Sequence, residues 1–328
     1  MSCTQYLVTQ FPMVVGYDKV KLWIDRVIVG DQYPTIANYL ENTKQETDLQ
    51  TGEVKTFGYV DGLKVGIYAG RLSIVGSLAK FLFVGSNVFP LDRRSAAHAL
   101  EKLSDTLHIQ VSKADVTEIE FGANFLMKNP VADYLARLGA MPRMERAQVT
   151  PYSLRYAGKG KQKPRVSVFY DKIADAAANS MECPENLGNL LRYEIRLNGR
   201  LPYQLSVPEV KASTLTDMGF YRLMVKYYQD NYFSITKVNQ VKTDVMNEIR
   251  TPKDAFNVLV ARLISQADQD QIKAFLDELK EAGVFADRKN YSRLKAKIQE
   301  VAHQANITIS DDLIKELDDE VKNSGAYV

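Results

Sequence analysis

The sequence predicts an α+β fold, a largely antiparallel sheet with flanking helices, followed by an all-helical C-terminal domain. Three observations carry that expectation. From Val20 to about Val207 apolar and polar residues alternate at the two-residue period of strands, with turn-forming residues between the runs. After about Ser213 the apolar period lengthens to that of helices and stays there. The 328 residues accommodate two units, because domains commonly span ~100–200 residues. Thr251-Pro252 can end one unit and start the next, which divides the chain into an α+β unit, 1–250, and a helical unit, 251–328.

In chain order, strands are expected at Val20–Val29, Thr56–Tyr59, Leu63–Tyr68, Leu72–Val75, Val116–Phe125, Val149–Tyr156, Arg165–Tyr170 and Leu190–Leu197. Asp61-Gly62, Ala69-Gly70 and Gly158-Lys159-Gly160 supply turns. Leu91–Leu107 carries Ala96, Leu100, Leu103 and Leu107 at helical spacing, and Pro130–Leu138 opens with a proline suited to a first turn. Helices then follow at Thr214–Tyr232, Pro252–Ser265, Gln269–Ala282, Lys289–Ala305 and Ser310–Asn323, with Ser310 a good N-cap and Gly283 a good stop.

Composition excludes several classes. Apolar residues make up 45% and charged residues 25%, with no long Pro, Gly or Ser tract of the disordered kind. No stretch reads as a membrane span, and the start lacks a basic segment followed by an apolar run, so the expected compartment is the cytoplasm with no membrane partner. Cys3 and Cys183 are too few for a disulfide framework or a cysteine metal site. His98, His108 and His303 are scattered, which argues against a histidine site. A metal here is expected to be hard and oxygen-bound, Mg²⁺ or Mn²⁺ rather than zinc.

The net charge of +2 does not by itself imply a nucleic-acid partner. Its distribution is more informative. Arg143, Arg146, Arg155, Lys159, Lys161, Lys163, Arg165 and Lys172 face only Glu145 and Asp171 in the same stretch, and Tyr152 and Tyr156 are interleaved with them. Such a hairpin can follow a phosphate backbone while its aromatics stack on unpaired bases. It can equally be a solvated tip.

Three strands present polar faces. Glu118 and Glu120 share one face of their strand, Arg192, Glu194 and Arg196 share one face of another, and Tyr170 and Lys172 close a third. Converging carboxylates would hold a divalent ion. An amphipathic sheet with a solvated charged face shows the same pattern. Tyr170 is one of 18 tyrosines, and a phenol of pKa about 10 becomes a nucleophile only with a metal or a cation to favour its anion.

Four blocks in this order resemble the gene-II-type replication initiators of filamentous phages and the related phage and plasmid initiators. They are Ser77-Leu-Ala-Lys80 leading to Gly85-Ser-Asn87-Val-Phe89, then Glu118-Ile-Glu120, Val168-Phe-Tyr170-Asp-Lys172 and Arg192-Tyr-Glu194-Ile-Arg196, together spanning about Val20 to Leu205. The resemblance implies a replication-initiator or relaxase-like sheet, Tyr170 as nucleophile, Lys172 as its activator, and Glu120 with Glu194 as metal ligands. It also implies that Lys80, Asn87, Arg192 and Arg196 lie near the scissile DNA. Glu120 stands where the family usually has Asp. Glu118 stands where it usually has Arg, which either adds a third carboxylate or removes a phosphate contact.

The function implied is metal-dependent nicking of a replication origin through a 5′-phosphotyrosine, with DNA as partner and host helicase or polymerase, or a second copy of the chain, as further ones. A mobilisation relaxase would use the same chemistry. A non-catalytic DNA-binding regulator would reuse the fold without nicking.

Overall fold

The computed structural model describes residues 14–85, 87–158, 163–178, 188–237, 250–266, 269–304 and 312–325. Cys3, Lys159, Lys161, Cys183 and Ser310 lie outside the described residues. The strands are β1 (Gly16–Asp25), β2 (Glu41–Thr47), β3 (Val54–Val60), β4 (Leu63–Ile67), β5 (Arg71–Ser77), β6 (Asp115–Met127), β7 (Glu145–Thr150), β8 (Ser153–Ala157), β9 (Arg165–Asp171) and β10 (Asn189–Asn198). They form one ten-stranded sheet in the order β2-β3-β4-β5-β1-β6-β10-β9-β8-β7. Every pairing in it is antiparallel.

The helices that bear on the site and the core include α1 (Leu78–Leu82), α2 (Arg93–Leu107), α3 (Val131–Leu135), α4 (Lys172–Ala178), α5 (Met218–Phe233), α6 (Pro252–Gln266), α7 (Gln269–Glu281), α8 (Arg288–Gln304) and α9 (Asp312–Asn323). Their starts follow from side-chain caps. Asp92 accepts the Ser95 amide at 2.7 Å to open α2, and Asp217 accepts the Phe220 amide at 2.8 Å to open α5. None of the helices among the described residues is long and apolar enough to cross a membrane.

Strand alternation separates the two faces of the sheet. Leu22, Phe121, Phe169, Tyr193 and Ile195 are buried on one face and join α2, α5 and α9 in a continuous core. Tyr193 stacks on Phe169 at 4.2 Å and lies 4.3 Å from Tyr228 of α5. The opposite face carries Lys21, Glu120, Arg192, Glu194 and Tyr170.

Several boundaries differ from expectation for local reasons. The first strand ends at Asp25, whose carboxylate accepts the Val27 amide and turns the chain. Val149–Tyr156 is two strands, β7 and β8, split at Pro151-Tyr152. The fully exposed strand β2 has no alternation to reveal it and is held by its pairing with β3.

Candidate active site

Strands β1, β6, β10 and β9 are consecutive neighbours in the sheet. The register sets Tyr170 opposite Arg192, Arg192 opposite Asn124, and Arg196 opposite Glu120. Side chains in such cross-strand rows share a face. The three polar strand faces read from the sequence therefore converge.

Asp18, Glu120 and Glu194 each bring a carboxylate oxygen within 4.8 Å of the others. Asp18 was not among the expected residues. Between Tyr17 and Val20, β1 advances one residue more than β6 does between Phe121 and Ile119, a bulge at Asp18-Lys19 opposite Glu120. An inserted residue re-aims its neighbours, and here Asp18 is buried in the group while Lys19 Nζ reaches Glu120 at 3.9 Å. Glu118 is set apart from the group, paired with Lys21 at 3.2 Å.

Around the carboxylates runs a connected polar network. Arg192 is fully buried and donates to Glu194 at 2.6 Å, to Asp18 at 2.5 Å and to the Asn87 carbonyl at 3.2 Å. Asn87 donates to Asp18 at 2.9 Å and accepts from Lys172 at 3.1 Å. Ser77, the N-cap of α1, donates its hydroxyl to Asp18. Lys80 lies in α1, in the turn that Ser77 caps. Arg196 donates to Glu194 at 2.5 and 2.9 Å and lies 3.4 Å from Glu120, with its side chain 41% exposed.

The Tyr170 hydroxyl is 3.3 Å from Glu194 Oε2. Burial pushes its pKa upward, and Glu194 beside it adds to that while Arg192 opposes. Lys172 is not at a strand end as expected. It is the first residue of α4, buried, with its ammonium on Asn87 and 5.9 Å from the centre of the Tyr170 ring. Burial and the Arg192 charge lower its pKa.

The carboxylates differ in electrostatic character. Glu120 is raised to about 7 by burial, by Glu194 and by Asp18, against Arg196 and Lys19. Glu194 is fully buried, which favours the acid, yet Arg192 and Arg196 outweigh this and hold it below the usual carboxylate range. This donor set fits a hard divalent ion: all oxygen, with three carboxylates within reach of one point.

The expected DNA-contacting residues divide. Tyr156 is fully buried and donates to the Gly139 carbonyl at 2.8 Å, so it cannot stack on a base. Alternation along β8 turns it into the core. Arg146 is spent on the carbonyls of Leu135, the last residue of α3, and Leu138. Arg165 reaches the Tyr227 hydroxyl at 3.4 Å. Arg192 is enclosed by Asp18 and Glu194 and has no surface to offer a phosphate. Arg143 and Lys163 are exposed, and Tyr152 is half-buried in the β7–β8 turn. Arg155 pairs with Val168 on the Tyr170 face, and among the described residues its buried Nε has no hydrogen-bond partner.

No family model matches the chain, and no curated protein matches it significantly. Among solved structures it is similar to a rolling circle replication initiator protein from Geobacillus stearothermophilus, with 12% identity over 73% of this chain and 92% of that chain and a TM-score of 0.40. It is also similar to the di-domain ARO/CYC protein BexL of the BE-7585A biosynthetic pathway, with 8% identity over 67% of this chain and 88% of that chain and a TM-score of 0.19. At TM-scores this low neither likeness assigns a function.

Proposed function

We infer that the chain is a DNA-nicking and strand-transfer enzyme that initiates rolling-circle replication of a phage, plasmid or mobile element. The observation that carries this reading is the Tyr170 hydroxyl lying 3.3 Å from Glu194 within a group of three carboxylates. The order of the Ser77–Phe89, Glu118–Glu120, Tyr170–Lys172 and Arg192–Arg196 blocks supports it.

In this mechanism the Tyr170 oxygen forms a bond to phosphorus as the bond from phosphorus to the 3′ oxygen breaks. The products are a 5′-phosphotyrosine and a 3′-hydroxyl able to prime synthesis. Glu194, kept ionised by Arg192 and Arg196, accepts the Tyr170 hydroxyl hydrogen bond and orients the phenol. The phenol proton is released toward the carboxylate group and the same proton is returned to the departing 3′ oxygen, so none is gained or lost overall. Because one phosphodiester replaces another, the step is reversible and the strand can be rejoined. Mg²⁺ or Mn²⁺, held by Glu120 and Glu194 with Asp18 in reach, would polarise the phosphodiester.

The arginines take different parts. Arg192 positions Glu194, Asp18 and the Asn87 segment from inside the fold. Arg196 is the exposed one, and it can turn from Glu194 to a phosphate oxygen, where a guanidinium fork is well matched. Lys172 orients Asn87.

The test uses supercoiled plasmid bearing the candidate origin, with and without Mn²⁺. A nick and a protein–DNA adduct that survives denaturation are expected from the native chain and not from Tyr170→Phe. An undiminished adduct with Tyr170→Phe overturns the assignment.

A further inference from the structure

Beside the carboxylate group, the same face of the sheet carries a second feature that the nicking residues do not use. Along one cross-strand row Phe57 pairs with Gly66, Gly66 with Ser73, and Ser73 with Trp23. Phe57 and Tyr68 close over Gly66, where a Cβ would meet Phe57 Cε1 and Tyr68 Cε2 each at 3.1 Å. Tyr68 lies 5.9 Å from Phe57 and 5.4 Å from Trp23, so the three rings form a continuous aromatic strip.

Cations line this strip. The Arg71 guanidinium sits 4.2 Å from the Trp23 ring centre, Lys64 5.0 Å from that of Phe57, and Lys21 5.8 Å from that of Trp23. Lys64 and Arg71 are exposed, and the three rings are half-exposed. The reverse face of these strands, with Leu22, Ile24, Val65 and Ile74, is fully buried, so the aromatics are not needed for the core. A shallow depression of about 360 Å³ opens at the end of the strip, lined by Lys55, Tyr68 and Arg71 together with Asp25, Glu53 and Gly70.

We propose that this strip on β1, β3, β4 and β5 binds single-stranded DNA and leads it into the carboxylate group. Bases stack on aromatic faces irrespective of sequence, and interleaved cations neutralise the backbone. A duplex hides its base faces and has no use for the rings. Continuity gives the direction: Trp23, Lys21 and Lys19 follow one another on the same side of β1, about 13 Å at ~3.3 Å per residue, and Lys19 ends on Glu120. The strip rests on the proposed nicking reading for its purpose, but its binding does not depend on cleavage.

The single tryptophan makes Trp23 a reporter for its own site. The full-length chain carrying Tyr170→Phe, in EDTA, is titrated with a short oligothymidylate while Trp23 emission and the anisotropy of the labelled oligonucleotide are followed. Saturable quenching that weakens with salt is expected. Tyr68→Ala should lower affinity roughly 5–150-fold, the range for losing one stacked base. Lys64→Glu, at an exposed position and with native folding checked by circular dichroism, should lower it about 10-fold and flatten the salt dependence.

The proposal is overturned if the oligonucleotide binds without changing Trp23 emission, if Lys64→Glu binds as the parent does, or if a duplex of the same length quenches equally well. Quenching without any nick in the native chain retains the strip and removes the nicking reading. A Tyr170-dependent adduct without quenching does the reverse.

Discussion

At the scale of single residues, the site is organised by unequal carboxylates. Glu120 carries the raised pKa, about 7 against an ordinary 4.5. Between those values the folded chain keeps a proton that the unfolded chain has released, so stability falls as pH rises through this window and stays reduced above it. Without divalent metal, Glu120→Gln should therefore stabilise the chain by ~1–3 kcal/mol at pH 8 and not at pH 4.5, read by thermal unfolding. Mn²⁺ should raise the melting temperature of the native chain and leave that of Glu120→Gln unmoved. The two arginines separate in the same way. Arg192→Met strands two buried anions and should cost about 3–5 kcal/mol in denaturant unfolding. Arg196→Ala removes a partly exposed partner, should cost about 1 kcal/mol, and should act on nicking instead.

At the scale of elements, the strands that alternate were legible and the departures from alternation were not. Period-two reading puts Glu120, Tyr170, Arg192 and Glu194 on polar strand faces because β6, β9 and β10 are regular where these residues sit, whereas their roles at a site came from the resemblance of the four blocks. Asp18 escaped it, since the bulge at Asp18-Lys19 breaks the period just before the expected start of the strand at Val20. Tyr156 was misread because its basic neighbours suggested a surface hairpin, whereas its own position in β8 alternates inward. Close strand approach also has a signature only in three dimensions. Gly122 lies opposite Glu194, and a Cβ there would meet the Tyr193 carbonyl at 2.6 Å and Glu194 Cβ at 2.7 Å. Gly122→Ala should push Glu194 out of place, costing roughly 1–3 kcal/mol as overpacking does and weakening Mn²⁺ binding in calorimetry.

At the scale of the whole molecule, the change from strand to helical period marks real architecture, but the last helix returns to the first unit. In α9, Leu317 and Val321 are buried in the main core. Its Asp318 and Glu316 accept from the hydroxyls of Tyr232 and Tyr134, and the Ser324 carbonyl that follows it accepts the Val15 amide at the start of β1. Helices α6, α7 and α8 pack mainly on one another. We therefore propose that the helical unit is α6–α8 and that α9 belongs with the α+β unit. Leu317→Ala should cost about 2–5 kcal/mol of sheet stability by cavity formation, whereas Leu276→Ala in α7 should leave the unfolding of the sheet unchanged. Circular dichroism with near-ultraviolet detection of the tyrosine-rich core separates the two.

The claim on which the rest depends is that Tyr170 forms the covalent bond to DNA. Trypsin should release Val166–Lys172, a peptide with Tyr170 as its one tyrosine. After reaction with origin DNA and Mn²⁺ and nuclease trimming, mass spectrometry should find the nucleotide remnant on this peptide, absent when Mn²⁺ is withheld. A remnant on any other tyrosine, or its formation without metal, would contradict the account.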